Sequence, residues 1–405
     1  MGLKQALSSQ QTLKHTFREL LAPGYCFSAS EYNSFRRRLL AWYDRHARNL
    51  PWRRNRDPYA VWVSEVMLQQ TQVGTVEGYF DRFIQAFSTV EALARADEHD
   101  VLRLWEGLGY YRRARQLHQA AKIVVAEHGG QFPRDPEVVR RLPGIGRYTA
   151  GAILSIAFDA HEPILEANTL RLFSRLLAYA GDPRSTEGQR LLWAMAEAVL
   201  PRRDSGRLNQ ALMELGSEVC TGRTPRCEAC PVAPLCRANQ QGRQQEIPRP
   251  KVQRQIEAVR EAAVVVRRDD RVLLLRWPEG RRWAGLWDFP RFSLDAEHPT
   301  ATSRELVENV RELTSVTIAP GRHVKTLTHG VTRFHITLEC HEAEYVSHDK
   351  KTATQMETRW IRPAELEDYP LSSTGRQLAR LVQKKTKTSP QRTGRTQRKG
   401  RQEGK

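Results

Sequence analysis

Two hydrophobic periods divide the chain. From about residue 31 to 219, apolar residues recur at three- and four-residue spacings, and no alternating stretch interrupts them. Asp57-Pro58 precedes an apolar series over 61–76, and Asp135-Pro136 sets an N-cap and a first-turn proline ahead of another helix. Over 237–257 the periodicity stops, and Gln, Arg and Pro dominate (Gln240-Gln241-Gly242-Arg243-Gln244-Gln245), the composition of a linker. Beyond it the period changes. Residues 262–266 and 271–276 are β-branched or apolar runs parted by a polar turn at 268–270, and 334–346 alternates for much of its length. Residues 302–313 between them read as a helix. The pattern predicts an all-α domain over 31–236, a linker over 237–258 and a small α+β domain over 259–383. A lead of 30 residues and a tail over 384–405 lie outside both.

Composition agrees with two folded domains. The chain has 405 residues, long for one core, and 40% are hydrophobic, which excludes wholesale disorder. No segment approaches the ~20 consecutive apolar residues of a membrane helix. The start, Met1-Gly2-Leu3-Lys4-Gln5-Ala6, has neither a secretory apolar run nor the hydroxyl residue at position six that myristoylation needs. A soluble, intracellular protein is expected, in the cytoplasm or nucleoid if bacterial. The formal net charge is +18, and nine basic residues against Glu403 place +8 of it in the tail. The remaining +10 on the folded part favours a polyanionic partner.

Three local constellations carry candidate chemistry. Four of the six cysteines crowd into 220–236 with the spacing C-x6-C-x2-C-x5-C (Cys220, Cys227, Cys230, Cys236), which implies a metal site in a reducing compartment. Zinc ribbons carry two C-x2-C knuckles and only one occurs here, so zinc stays the weaker alternative. Leu142-Pro143-Gly144-Ile145-Gly146-Arg147 joins two helices through a turn whose glycines leave amides unshielded at a helix N-terminus, flanked by Arg140, Arg141 and Arg147. Such a turn can grip a phosphate, or simply make a tight corner. Glu65 is the only charged residue over 61–76, with Gln69 and Gln72 following at i+4 and i+7, so one helix face is expected to carry all three. A buried Glu has a raised pKa and becomes a proton donor, though it can equally brace a neighbouring helix.

Taken together these residues resemble a known family. Ser64-Glu65-Val66-Met67-Leu68-Gln69-Gln70-Thr71-Gln72-Val73, Leu50-Pro51-Trp52-Arg53, Trp105-Glu106-Gly107-Leu108-Gly109-Tyr110-Tyr111, the hairpin and the cysteine loop are similar to the MutY-type adenine DNA glycosylases of the endonuclease III superfamily. The resemblance resumes at Leu286-Trp287-Asp288-Phe289-Pro290 in a C-terminal module like the Nudix fold. It implies a monofunctional glycosylase that hydrolyses the bond to adenine mispaired with 8-oxoguanine or guanine in double-stranded DNA, as a monomer, with a [4Fe–4S] cluster on the four cysteines. Glu65 is then the acid that protonates adenine N7, and Glu166 the stabiliser of the oxocarbenium ion. Asn168 positions water or Glu166, and Tyr148 hydrogen-bonds near Glu65. Trp52, Arg53, Leu68, Gln69 and Gln70 match residues that wedge into the gap or line the pocket. Tyr110 matches the intercalating tyrosine, while Gly144, Gly146 and Arg147 form the hairpin grip.

Tyr148 stands where endonuclease III-type lyases carry the Schiff-base lysine, and a phenol cannot supply that amine. Two departures from the family are visible. Glu166-Ala167-Asn168 replaces Asp-Gly-Asn, one methylene longer. The lesion-reading Phe-Ser-His corresponds to Val331-Thr332-Arg333 after His329, with Thr332 keeping the hydroxyl. The stretch 304–309 half-matches a Nudix box, with too few Mg²⁺ ligands for pyrophosphate hydrolysis, so the module is expected to recognise rather than hydrolyse. Rival readings are a glycosylase-lyase, a non-catalytic mispair-binding protein and a nucleotide-pool hydrolase.

Overall fold

The computed structural model describes residues 27–249, 256–294, 300–331, 333–349 and 356–388. The chain divides into two compact units, 1–253 and 254–405. Most of the N-terminal lead, Thr332 and everything past residue 388 lie outside the described residues.

The first unit is helical: α1 (Ala29–His46), α2 (Pro58–Leu68), α3 (Val73–Ala86), α4 (Val90–Arg95), α5 (Glu98–Trp105), α6 (Arg112–His128), α7 (Pro136–Arg141), α8 (Arg147–Phe158), α9 (Ala167–Leu177), α10 (Thr186–Val199), α11 (Ser205–Glu218) and the single turn α12 (Arg237–Gln240). Local chemistry starts several of them. Ser28 and Glu31 close a capping box on α1, and the Asp57 carboxylate caps α2 ahead of Pro58. One core gathers Phe35 and Leu39 of α1, Phe173 and Leu176 of α9, Met195 of α10 and Leu212 of α11. α2 is buried on every side from Tyr59 to Met67, which is why its sequence lacks a polar stripe.

The expected helix over 61–76 is two helices. α2 ends at Leu68, Gln70 takes a left-handed φ of 60°, and Gln72 becomes the N-cap of α3. The cause is Arg113 on α6. Its guanidinium donates to the carbonyls of Val66 and Met67, both at 2.8 Å, and to that of Gln69, satisfying the terminal acceptors without another helical turn. Glu65, Gln69 and Gln72 therefore share no helix face. Gln69 instead donates to the Thr149 hydroxyl at 3.2 Å.

The linker is also shorter than its composition implies. Residues 237–249 pack onto the helical unit: Ala238 and Ile247 are buried, and the Ile247 carbonyl accepts from Arg175 on α9 at 2.8 Å. Two apolar side chains anchor a polar stretch that has no periodicity to announce them.

The second unit is a mixed sheet in the order β3-β2-β1-β6-β5, from β1 (Glu257–Arg268), β2 (Arg271–Arg276), β3 (Trp287–Asp288), β5 (Val316–Val331) and β6 (Phe334–His348). β4 (Arg291–Ser293) pairs with β1, and β7 (Glu357–Ile361) with β2. β1 and β6 run parallel. Each face of the sheet is covered by a helix, so 262–266 reads as an unbroken apolar run. Ala262, Val264 and Val266 meet Leu306 and Val310 of α13 (Ser303–Thr314), whereas Ala263 and Val265 share a cluster with Leu378 and Val382 of α14 (Ser373–Thr388). Because α14 continues to Thr388, the tail expected from Lys384 begins inside a helix.

Candidate active site and cysteine loop

A cleft in the helical unit is lined by Glu65 of α2, Tyr148 of α8, Glu166 and Asn168 at the start of α9, and Met213 and Glu214 of α11. Glu65 is 4% exposed, a depth at which a carboxylate is costly unless protonated or well bonded. The Tyr148 hydroxyl donates to its Oε2 at 2.6 Å. Burial pushes the Glu65 pKa up to about 7, with the Tyr148 bond pulling against burial and the charge of Glu166 adding to it. Burial and the two carboxylates raise the Tyr148 phenol well above its ordinary value, so it keeps its proton and remains the donor.

Glu166 is the N-cap of α9. Its carboxylate accepts from the amides of Asn168 and Thr169, each at 2.8 Å, and the Glu166 amide donates to the Thr169 hydroxyl at 2.8 Å. Burial raises its pKa, opposed by those two amides. The Asn168 side chain faces Arg171, from which its Oδ1 accepts at 2.9 Å. Arg171 also donates to the Gly216 and Cys220 carbonyls, joining the cleft to the start of the cysteine loop.

One wall escaped the sequence reading. Glu214, fully buried, accepts from Arg48 Nε at 2.7 Å and from Arg53 Nη2 at 2.8 Å. Burial works to raise its pKa, but the arginine hydrogen bonds outweigh it, and the net value lies below the ordinary range. Glu214 is thus a fixed anion between two cations. A signal existed in α11, where Gln210, Glu214 and Ser217 repeat at three and four residues and all reach the cleft. Arg53, Trp52 and Leu68 line the cleft too. Trp52 is buried edge-on to Phe80, and Arg53 is tied to Glu214.

Gln70 and Tyr110 lie on two turns joined by Arg113, which also donates to the Thr71 hydroxyl and to the carbonyls of Leu108 and Gly109. Both residues hold positive φ, 60° and 48°, an unusual conformation for side-chain-bearing residues, and Tyr110 is 49% exposed. The hairpin turn precedes α8. Gly144 has φ +79° and Gly146 is an N-cap without a side chain, facing open space. Arg147 is drawn aside, its guanidinium 3.7 Å from the centre of the Trp193 ring.

Cys220, Cys227, Cys230 and Cys236 line one cavity. None of the four is in a disulfide. Among the described residues no group of three or more Cys, His, Asp or Glu side chains is placed to hold a single metal ion. Arg175 aims its guanidinium at Cys220 Sγ, 3.3 Å away, a donor suited to a ligating thiolate. The four-sulfur set around a cavity fits a cluster of several irons.

In the second unit, His329 lies near the end of β5, with its Nε2 3.4 Å from buried Arg291. Of the half-matched Nudix box, Glu305 closes the capping box of α13 and Glu308 pairs with Arg304.

Comparison with known proteins gives two family matches. Residues 63–198 match the HhH-GPD superfamily base excision DNA repair proteins, and residues 261–381 match the NUDIX domain. An adenine DNA glycosylase of Rattus norvegicus is 33% identical, covering 93% of this chain and 83% of its own. One of Homo sapiens is 33% identical over 87% of this chain and 75% of its own. That of Buchnera aphidicola subsp. Schizaphis graminum is 36% identical over 64% and 75%.

Proposed function

The chain belongs to the adenine DNA glycosylase family of base excision repair enzymes, and from that premise we propose that Glu65 is the acid with which it releases adenine opposite 8-oxoguanine or guanine. The observation that carries this reading is the buried Glu65 carboxyl, held by Tyr148 in a cleft with its pKa near 7. About half of such a group is protonated at pH 7, against roughly 0.2% of an ordinary Glu.

Adenine swung out of the duplex enters the cleft, at a cost of a few kcal/mol that a mispair lowers. Glu65 gives its proton to N7, which makes the base a neutral leaving group. The sugar becomes an oxocarbenium ion, and Glu166 supplies the negative charge that stabilises it. Its clamp by the Asn168 and Thr169 amides fixes where that charge sits. Water then adds to the sugar carbon and gives up its proton to the Glu65 carboxylate, which restores the acid. Tyr148 stays protonated and offers no amine, so the product is an abasic site and not a covalent imine.

Gln70 and Tyr110 fill the space left in the duplex, and the amides at Gly144 and Gly146 hold the backbone. Trp52, Arg53 and Leu68 shape the cleft, and Gln69, beside Gln70 and bonded to Thr149, belongs with the wedge. His329 and Thr332 belong to the reading of the base opposite the adenine. Cys220, Cys227, Cys230 and Cys236 hold a [4Fe–4S] cluster, which when bound supplies a rigid centre for the basic loop around Arg223 and Arg226.

Glu65→Gln tests the assignment in single-turnover excision on a duplex with one adenine opposite 8-oxoguanine. Excision falls at least a thousandfold while duplex binding stays within a few-fold. Undiminished excision overturns the role of Glu65, and borohydride trapping on abasic DNA would reveal a lyase instead.

A further inference from the structure

Resting on the reading that the second unit inspects the base opposite the adenine, we propose that Arg282 and Trp283, with Phe334 and Arg333, form the platform that holds this base, and that Arg282 sets the preference for the oxidised purine. The turn after His329 carries Val331 and Arg333 where the family has an aromatic residue and a histidine. The rings beside that turn are that of the next residue, Phe334, and that of Trp283 from the loop before β3. Phe334 is the first residue of β6 and pairs with Val331. Two guanidinium groups flank its ring, Arg282 at 4.7 Å and Arg333 at 5.0 Å from the centroid. Arg282 also lies 5.3 Å from the Trp283 ring, which has Arg291 at 4.0 Å and the Trp277 ring at 6.0 Å from its centre. Arginine planes and aromatic rings therefore alternate at the end of the β5–β6 hairpin.

The loop that delivers Arg282 and Trp283 is built to present them. Its ends are tied by hydrogen bonds from the Trp277 amide to the Leu286 carbonyl and from the Gly285 amide to the Trp277 carbonyl, both 2.9 Å. Gly280 and Gly285 hold φ of +82° and +84°, turning the chain sharply on either side.

Arg282 is also anchored from beneath, because buried Arg291 is shared between Glu261 and Asp288, the latter 3.9 Å away, and Arg282 completes the pairing of Glu261. Glu261 is already paired with Arg291, 1% exposed, at 2.5 Å. Arg282 reaches the same carboxylate at 3.3 Å with a third of its side chain exposed. That contact fixes the guanidinium while part of it stays at the surface, as does the exposed and weak Arg333–Glu257 pair.

Interleaved arginines and rings hold a purine by its face, and each stacked base contributes about 1–3 kcal/mol. An oxidised purine also carries one more exocyclic carbonyl, an acceptor for a guanidinium donor. The same groups could instead hold a backbone phosphate, which carries no information about the base.

The test is single-turnover excision by the full chain at sub-saturating enzyme, with adenine opposite 8-oxoguanine or guanine in otherwise identical duplexes. Arg282→Leu and Trp283→Leu are each compared with the parent, and Arg282→Gln serves as the milder variant should Leu disturb the loop. The ratio of the two rates falls about tenfold, equivalent to about 1.4 kcal/mol, because the rate opposite 8-oxoguanine drops far more than that opposite guanine. Equal losses opposite both purines would mean a phosphate contact and overturn the proposal. So would an unchanged ratio in Arg282→Gln and Trp283→Leu. If the parent excises adenine opposite neither purine, the proposed function itself fails; excision with an unaltered ratio sinks only this inference.

Discussion

At the residue scale, a carboxyl group held in its acid form leaves a mark on stability as well as on rate. Burial raises the Glu65 pKa from an ordinary 4.5 to about 7. Between those values the native state binds the proton more tightly than the unfolded chain, so this contribution to stability is lost as pH rises through that window. By pH 8 the loss from Glu65 is on the order of 3 kcal/mol. Glu65→Gln therefore melts several degrees above the parent at pH 8 and close to it at pH 5, as differential scanning fluorimetry across pH will measure. In the parent, single-turnover excision declines about tenfold per pH unit above 7, as the acid form is lost. Glu166 lends itself to a paired test. Its carboxylate caps its own helix, a position that Asp fills as well, so Glu166→Asp keeps excision within about tenfold of the parent. Glu166→Gln retains the cap oxygen but loses the charge, and excision falls about a hundredfold or more. Equal activity of the Gln variant and the parent removes the carboxylate from the reaction. The motifs made Glu65, Tyr148, Glu166 and Asn168 legible in the sequence. Arg48 was not, because its contact with Glu214 spans 166 residues, and the Gln210, Glu214, Ser217 repeat in α11 signals the acid but not the arginine that holds it.

At the scale of elements, the helices and strands were legible where one period held for several turns, and illegible where a distant side chain intervened. The break after Leu68 is imposed by Arg113, 44 residues beyond the Gln69 carbonyl it holds; a window centred on residues 61–76 contains nothing that would end the helix there. The hairpin before α8 shows the reverse, since its two glycines were visible but not their different duties. At Gly144 the backbone is left-handed, and an added Cβ would lie 3.0 Å from Gln116 Cβ. Gly144→Ala costs about 1 kcal/mol or more of stability, read as a lower denaturation midpoint. At Gly146, φ is −90° and a Cβ meets nothing within 4 Å. Gly146→Ala leaves the midpoint nearly unchanged but places a methyl where a phosphate approaches the α8 amides, and duplex affinity falls several-fold. An alanine at Gly146 that binds as tightly as the parent would turn the hairpin back into a mere corner.

For the whole molecule the governing quantity is charge. The excess of +18 is spread over both units and the tail, and the two contributions separate by salt dependence. α14 reaches Thr388, and Lys384 lies within it, so a truncation meant to test the tail begins after Thr388. That segment, 389–405, carries Arg392, Arg395, Arg398, Lys399, Arg401 and Lys405 against Glu403. Each phosphate contact contributes about 0.9 to the slope of log affinity against log salt on duplex DNA. If half of the six cations touch phosphate, the truncated chain shows a slope shallower by about 2.7, with weaker binding at low salt and nearly equal binding at high salt. Excision under saturating single-turnover conditions stays unchanged, because the cleft of Glu65 and Tyr148 lies wholly within the helical unit. A slope identical in the two chains would assign the electrostatic grip to the folded units alone, with the amides at Gly146 and the basic cysteine loop as its first candidates.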